Sequence, residues 1–118
     1  MAATKSGSTI QASTSNGAGS TTTSSTLDMS TAYGAGIMAK ITNGATGPTV
    51  ACTATVNVSA DGSTWKYFQS ATAGVANSGV YPFVFDLPPW VMQAQIVFTG
   101  NTGQAVTVEA FAETLTAI

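Results

Sequence analysis

The sequence predicts an all-β domain: a two-sheet antiparallel β-sandwich of Greek-key or jelly-roll type with about seven strands. Three observations carry that expectation. Apolar residues recur at every second position in several segments, and no helical i, i+3, i+4 pattern lasts beyond a turn or two. Turn residues punctuate the chain at intervals of roughly ten residues. The composition is 44% hydrophobic and only 7% charged, with a polar remainder of Ser, Thr, Asn and Gly that suits strands and turns. At 118 residues the chain makes one domain with a real core.

Residues 1–20 are rich in Ser, Thr, Gly and Ala, with Ile10 almost the only sizeable apolar side chain. Alone, such a segment buries too little surface to offset its ordering entropy. It is expected either as a floppy tail or as an extended arm that orders on a neighbouring subunit with Ile10 as anchor, and its removal should leave the domain folded. Residues 21–118 then form the sandwich. Met1–Lys5 lacks the apolar run of a secretory signal, and no stretch has the length of a membrane span, so a soluble protein made in a cytoplasm is expected.

Thr21–Leu27 is a β-branched polar run suited to an edge strand. Gly34–Thr42 alternates Ile37, Ala39 and Ile41 against Met38, Lys40 and Thr42. The plainest element is the hairpin Val50–Phe68. Val50, Cys52, Ala54, Val56 and Val58 share one face, Asp61-Gly62 supplies a tight reversal, and Trp65 to Phe68 begin the return. Ser70–Gly79 has too little bulk for anything but a loop. Val80–Leu87 sets Tyr81, Phe83, Phe85 and Leu87 on one face, and Pro82 marks it as an edge strand. Val91–Thr99 alternates Met92, Ala94, Ile96 and Phe98 with Gln93 and Gln95. Ala105–Thr114 alternates Val106, Val108, Ala110 and Ala112 with Thr107, Glu109, Phe111 and Glu113. The expected core therefore includes Val56, Val58, Trp65, Phe83, Phe85 and Phe98. Ile10, Tyr33, Trp90 and the out-of-phase Phe111 are candidate interface residues, because large apolar groups in loops or on the wrong face either meet a partner or cap the ends of the sandwich.

Catalysis has little to work with. There is no histidine, hence no imidazole base and no His-containing metal site. The single Cys52 excludes a thiolate zinc cluster within one chain and falls in the core phase of its strand. Glu109 and Glu113 are four residues apart on a strand, roughly 13 Å, too far for a glycosidase pair. Asp61 lacks a calcium loop around it, and Gly34-Ala35-Gly36 lacks a following helix. No catalytic, cofactor or metal site is expected. A formal charge of −2 offers no electrostatic grip on nucleic acid, and so sparse a charge suggests a surface covered by neighbours in an assembly.

The motifs K-I-T-N-G-A-T-G-P-T (Lys40–Thr49), the S-x-D-G-x-x-W hairpin (Ser59, Asp61, Gly62, Trp65), D-L-P-P-W (Asp86–Trp90) and T-G-N-T-G-Q-A-V-T-V-E (Thr99–Glu109) follow a Ser/Thr-rich start in that order. Together they resemble small structural proteins of tailed bacteriophages, and the resemblance covers nearly all of the expected folded region. It implies a virion protein, foremost a head decoration or cement protein. Such a protein binds the major capsid protein or other virion proteins on the capsid surface, often as a trimer. Tail, neck or head-fibre positions fit the same resemblance. The Val56–Trp65 turn also resembles that of discoidin-like carbohydrate-binding domains, in which Trp65, Tyr67 or Trp90 would be the stacking platform.

Overall fold

Residues 3–117 are described by a computed structural model. Met1 and Ala2, the first residues of the expected arm, lie outside them. The strands are β1 (Thr4–Asn16), β2 (Thr22–Thr23), β3 (Leu27–Asp28), β4 (Ala35–Asn43), β5 (Thr53–Ser59), β6 (Lys66–Thr72), β7 (Val80–Leu87), β8 (Gln93–Thr99) and β9 (Val106–Ala117). One sheet has the order β1-β9-β4-β7, the other β2-β8-β5-β6, and β3 also pairs with β8. All pairings are antiparallel. If β2 and β3 are taken as one interrupted strand, the first strand pairs with the last, the second with the last but one, and so inward to the β5–β6 hairpin. A ribbon paired in that way and rolled over itself is the jelly roll.

Alternation decides which side of each strand meets the core. Ile37, Ala39 and Ile41 of β4, Ala54, Val56 and Val58 of β5, Ala94, Ile96 and Phe98 of β8, and Val106, Val108, Ala110 and Ala112 of β9 are all buried. Cys52 joins them, and burial raises its thiol pKa to about 11. β7 is an edge strand, as Pro82 required.

The N-terminal segment corrects the sequence expectation. It is no arm on a neighbour: β1 pairs along the length of β9. Ile10 is 6% exposed and packs in this chain's own core. The register slips between Thr9 and Gln11, so Ile10 is the extra residue of a β-bulge. Its carbonyl accepts hydrogen bonds from the Ser25 backbone N–H (2.9 Å) and hydroxyl (2.8 Å), which ties β1 to the opposite sheet. Ser6, Ser8, Gln11, Thr14 and Asn16 pair with the inward-phase residues of β9 but are all polar, and only Asn16 among them is buried, so apolar alternation could not reveal this strand.

Other boundaries also differ. β6 continues through Thr72, into the stretch expected as loop. The β5–β6 connection is six residues, 60–65, rather than a two-residue reversal. Val50 is exposed and makes only an isolated bridge to Thr102. Met92 is exposed while Val91 takes the inward place, because the Pro88-Pro89 turn delays the start of β8. Val56, Val58, Phe85 and Phe98 are core residues as expected. Trp65 is only half-buried, in the β5–β6 loop. Phe83 is only partly buried, packing against the rim of the core, while Phe85 and Leu87 further along the same strand are buried.

Two side-chain networks hold the ends. At one end Asn16 and Asn101 are fully buried. Asn16 Nδ2 donates to Asn101 Oδ1 (2.6 Å) and to the Ser20 carbonyl (3.1 Å). Asn101 Nδ2 returns bonds to the carbonyls of Asn16 (3.1 Å) and Gln104 (3.0 Å). This amide clasp joins the β1–β2 turn to the β8–β9 turn. At the other end Asp61 organises the β5–β6 loop. Its Oδ1 accepts from the backbone N–H of Ser63 (2.9 Å) and Thr64 (2.7 Å), and Gly62 sits at φ 83° where a Cβ would be strained. Those donors hold the Asp61 carboxyl well below the usual aspartate range.

Candidate interaction face

The four candidate interface residues do not form one patch. Ile10 is interior. Tyr33, in the β3–β4 loop, and Trp90, in the β7–β8 loop, lie at the same end of the sandwich and are 52% and 57% exposed. Phe111 instead lies on the outer face of the four-stranded sheet.

That face carries a feature visible only once strand order is known. Phe111 on β9 pairs directly with Met38 on β4, which pairs directly with Val84 on β7. Three apolar side chains thus stand side by side in one row across the sheet, 42%, 63% and 70% exposed respectively. Directly opposed Cβ atoms in such pairs are about 5 Å apart, so the row is continuous apolar surface. Thr9 on β1 extends it at the edge. Gly7 on the same strand lets the Phe111 ring lie flat: a Cβ there would stand 2.6 Å from the ring's Cζ. A shallow groove of about 280 Å³ borders the row, lined in part by Met38, Val84 and Phe111.

Charged groups flank it on both sides. Two residues along the strands in one direction, Lys40 on β4 meets Glu109 on β9 at 2.8 Å, with both about half exposed. An ion pair so open to water contributes little to stability. Two residues the other way, Gly36 stands between Asp86 on β7 and Glu113 on β9. A depression of about 340 Å³ opens there, lined by Lys5, Gly36, Asp86 and Glu113 among others. The chain has three lysines and five carboxylates in all; two of those lysines and three of those carboxylates lie on this one face.

The outer face of the second sheet is different in kind. Thr53, Thr55 and Asn57 of β5 stand beside Thr99, Val97 and Gln95 of β8, and Thr53 Oγ1 bonds Thr72 Oγ1 at 3.0 Å. Hydroxyls and amides make up most of it, with Tyr67 of β6 beside Asn57, 66% exposed, as its one large aromatic.

Met38, Val84, Gly7 and Gly36 are the residues sequence reasoning missed. Met38 and Val84 each show the signal that singled out Phe111, an apolar side chain in the outward phase. Nothing in the linear chain says that the three are neighbours. Asp86 and Glu113, rather than Glu109 and Glu113, are the carboxylates brought across a strand from one another. Two strand spacings, about 10 Å, separate their backbones. Among the described residues no group of three or more His, Cys, Asp or Glu could hold a metal.

No protein-family model and no curated protein matches the sequence. Solved structures do match in fold. One chain of infectious bursal disease virus, Gx strain, is 12% identical with a TM-score of 0.62, over 97% of this chain and 32% of that one. The enzymatically active domain of bacteriophage CBA120 tailspike protein 4 is 11% identical with a TM-score of 0.58, over 97% of this chain and 19% of that one. A family 16 carbohydrate-binding module is 11% identical with a TM-score of 0.50, over 81% of this chain and 70% of that one. The chain therefore spans about a third and a fifth of the two viral chains. The β-sandwich it shares is one that viral, phage and carbohydrate-binding proteins use.

Proposed function

We propose that this chain is a non-enzymatic structural protein of a bacteriophage virion, foremost a decoration protein that binds the major capsid protein on the outer capsid surface. The observation that carries this is the uncovered row Phe111–Met38–Val84, on a domain with very few charges elsewhere. Apolar surface of this kind stabilises association by about 2.5 kcal/mol for each 100 Å² buried, before entropic costs. Repetition over many copies then multiplies a weak contact into firm attachment. The viral and phage sandwiches support the fold this role needs, and the motif order in the sequence supports the phage assignment.

Quantitative mass spectrometry of purified particles from producing cells tests the proposal. Hundreds of copies per particle are expected. A few copies would move the protein to the tail, neck or head fibre, and none would overturn the virion role. Carbohydrate binding is the second reading, favoured by the exposure of Trp90, whose ring could stack on a sugar. Glycan-array binding that Trp90→Ala abolishes would establish it instead.

A further inference from the structure

We infer that the outer face of the second sheet, β2-β8-β5-β6, is a binding site for a neutral polysaccharide. The Tyr67 ring is its stacking platform, and the carboxamides of Asn57 and Gln95 are its hydrogen-bonding groups. This rests on the carbohydrate reading and moves its site from the Trp90 loop to the sheet.

Register builds the site. Gln95 on β8 pairs directly with Asn57 on β5, which pairs directly with Tyr67 on the edge strand β6. A register shift between Val56 and Asn57 brings Tyr67 and Ser70 to the same side of β6. Tyr67 Oη lies 3.1 Å from Ser70 Oγ. Ser70 is three residues further on, up to about 10 Å of strand, so the ring lies along β6 rather than standing off it. Exposed as it is, the ring offers open aromatic surface beside two amides.

Hydrogen bonds decide which polar groups are free. On the same face Thr21 Oγ1 meets Thr99 Oγ1 at 2.9 Å, and Thr53, paired with Thr99, meets Thr72. Those hydroxyls satisfy one another. Among the described residues the Asn57 and Gln95 amides have no such partner. Both are half-buried, so neighbours fix their positions while N–H₂ and C=O stay open to a ligand. A carboxamide donates and accepts at once, which suits adjacent sugar hydroxyls, and an aromatic ring takes the C–H side of a pyranose. From β6 to β8 is about 10 Å, enough for consecutive sugar units rather than one.

Composition selects the ligand. Protein interfaces are enriched in aromatics, Met and Arg and depleted in Ser, and their strongest contacts seldom come from Ser or Thr. Phe111 and Met38 give the four-stranded face that character, and the Thr, Ser, Asn and Gln of this face do not. Among the described residues, the one charge in the outward phase of this sheet is Asp28, beside Gln93 and one row beyond Gln95. A carboxylate there turns away an anionic chain and leaves a neutral one. The two sheets of a sandwich face opposite ways, so a copy held to a shell by its four-stranded sheet shows this face to the medium.

A glycan array carrying neutral gluco-, manno- and galacto-oligosaccharides beside sialylated and sulfated ones provides the test, followed by calorimetric titration with the best-bound neutral chain. The wild type should bind neutral chains of two or more units and not the anionic ones. Tyr67→Ala should weaken binding about tenfold or more, while Tyr67→Phe, which keeps the ring, should retain most of it. Asn57→Ala and Gln95→Ala should each weaken it about fivefold. Thermal melts establish that each variant is folded. Binding that survives Tyr67→Ala, or a preference for anionic chains, would overturn this site and leave the carbohydrate reading standing, the more so if Trp90→Ala abolishes binding. A wild type that binds no glycan at all would overturn both. Particle copy number, which tests the virion role, is read separately from either result.

Discussion

Replacing Asn101 by alanine removes the clasp between the two turns at one end of the sandwich. Three good hydrogen bonds disappear: the one accepted from Asn16 Nδ2 and those donated to the carbonyls of Asn16 and Gln104. A fourth, to the Gly17 carbonyl at 3.4 Å, is too long to count for much. At about 1 kcal/mol net for each good bond the loss is about 3 kcal/mol, and buried acceptors left without partners push it upward. Backbone bonds between the turns, such as Gly19 N–H to the Asn101 carbonyl at 2.8 Å, survive the change, so the domain should still fold. An unfolding entropy of about 2.1 cal/mol/K per residue, taken over 118 residues, gives about 0.25 kcal/mol/K. The expected fall in Tm is therefore about 12 °C, with a denaturant midpoint lowered at unchanged m value. Thermal and urea melts followed by circular dichroism or tryptophan fluorescence measure both. A Tm within about 4 °C of wild type, equivalent to a loss of less than about 1 kcal/mol, would refute the argument that this network holds the end of the fold.

Deleting residues 3–17 should abolish cooperative unfolding, because it strips β9 of its partner and removes Ile10 and Asn16 from the interior; a native-like melt of the truncated chain would restore the idea of a dispensable arm. Val56→Asp places an uncompensated charge at a fully buried position and should prevent folding, so a soluble, cooperatively melting variant would show the β5 phase to be wrong. Asp61 has its pKa lowered in the folded state by the Thr64 and then the Ser63 N–H group, and Asp28 is lowered in the same direction by Ser30. A lowered carboxyl pKa contributes stability that is fully present above the unfolded value and is lost as pH falls towards the folded one. Tm should accordingly drop between about pH 5 and pH 2. Asp61→Asn should flatten part of that drop, and an unchanged acid profile in the variant would show that this carboxylate is not the source.

The β5–β6 hairpin and the inward faces of β4, β8 and β9 were legible because each strand has one buried side, and a period of two reports it directly. Pro82 announced an edge for the same local reason, a missing N–H. β1 was hidden because its inward-phase positions are hydroxyls and amides and its one large apolar residue sits at a bulge, where alternation breaks. The Asn16–Asn101 clasp was hidden because asparagine beside glycine reads as an exposed turn. Its burial comes from another turn 85 residues away in sequence.

By itself, then, the order of residues determined that this is an all-β sandwich, which side of most strands faces inward, and that charge would be scarce. Those are properties of single segments, set by side-chain alternation and turn chemistry. Which strands lie side by side is a property of the whole roll, settled by how the ribbon closes over its core. Only that decision places Phe111, Met38 and Val84 in one row, and Lys40 and the Asp86–Glu113 pair on opposite sides of it. The surface available to a partner is a product of adjacency, and adjacency is written in no single stretch of the chain.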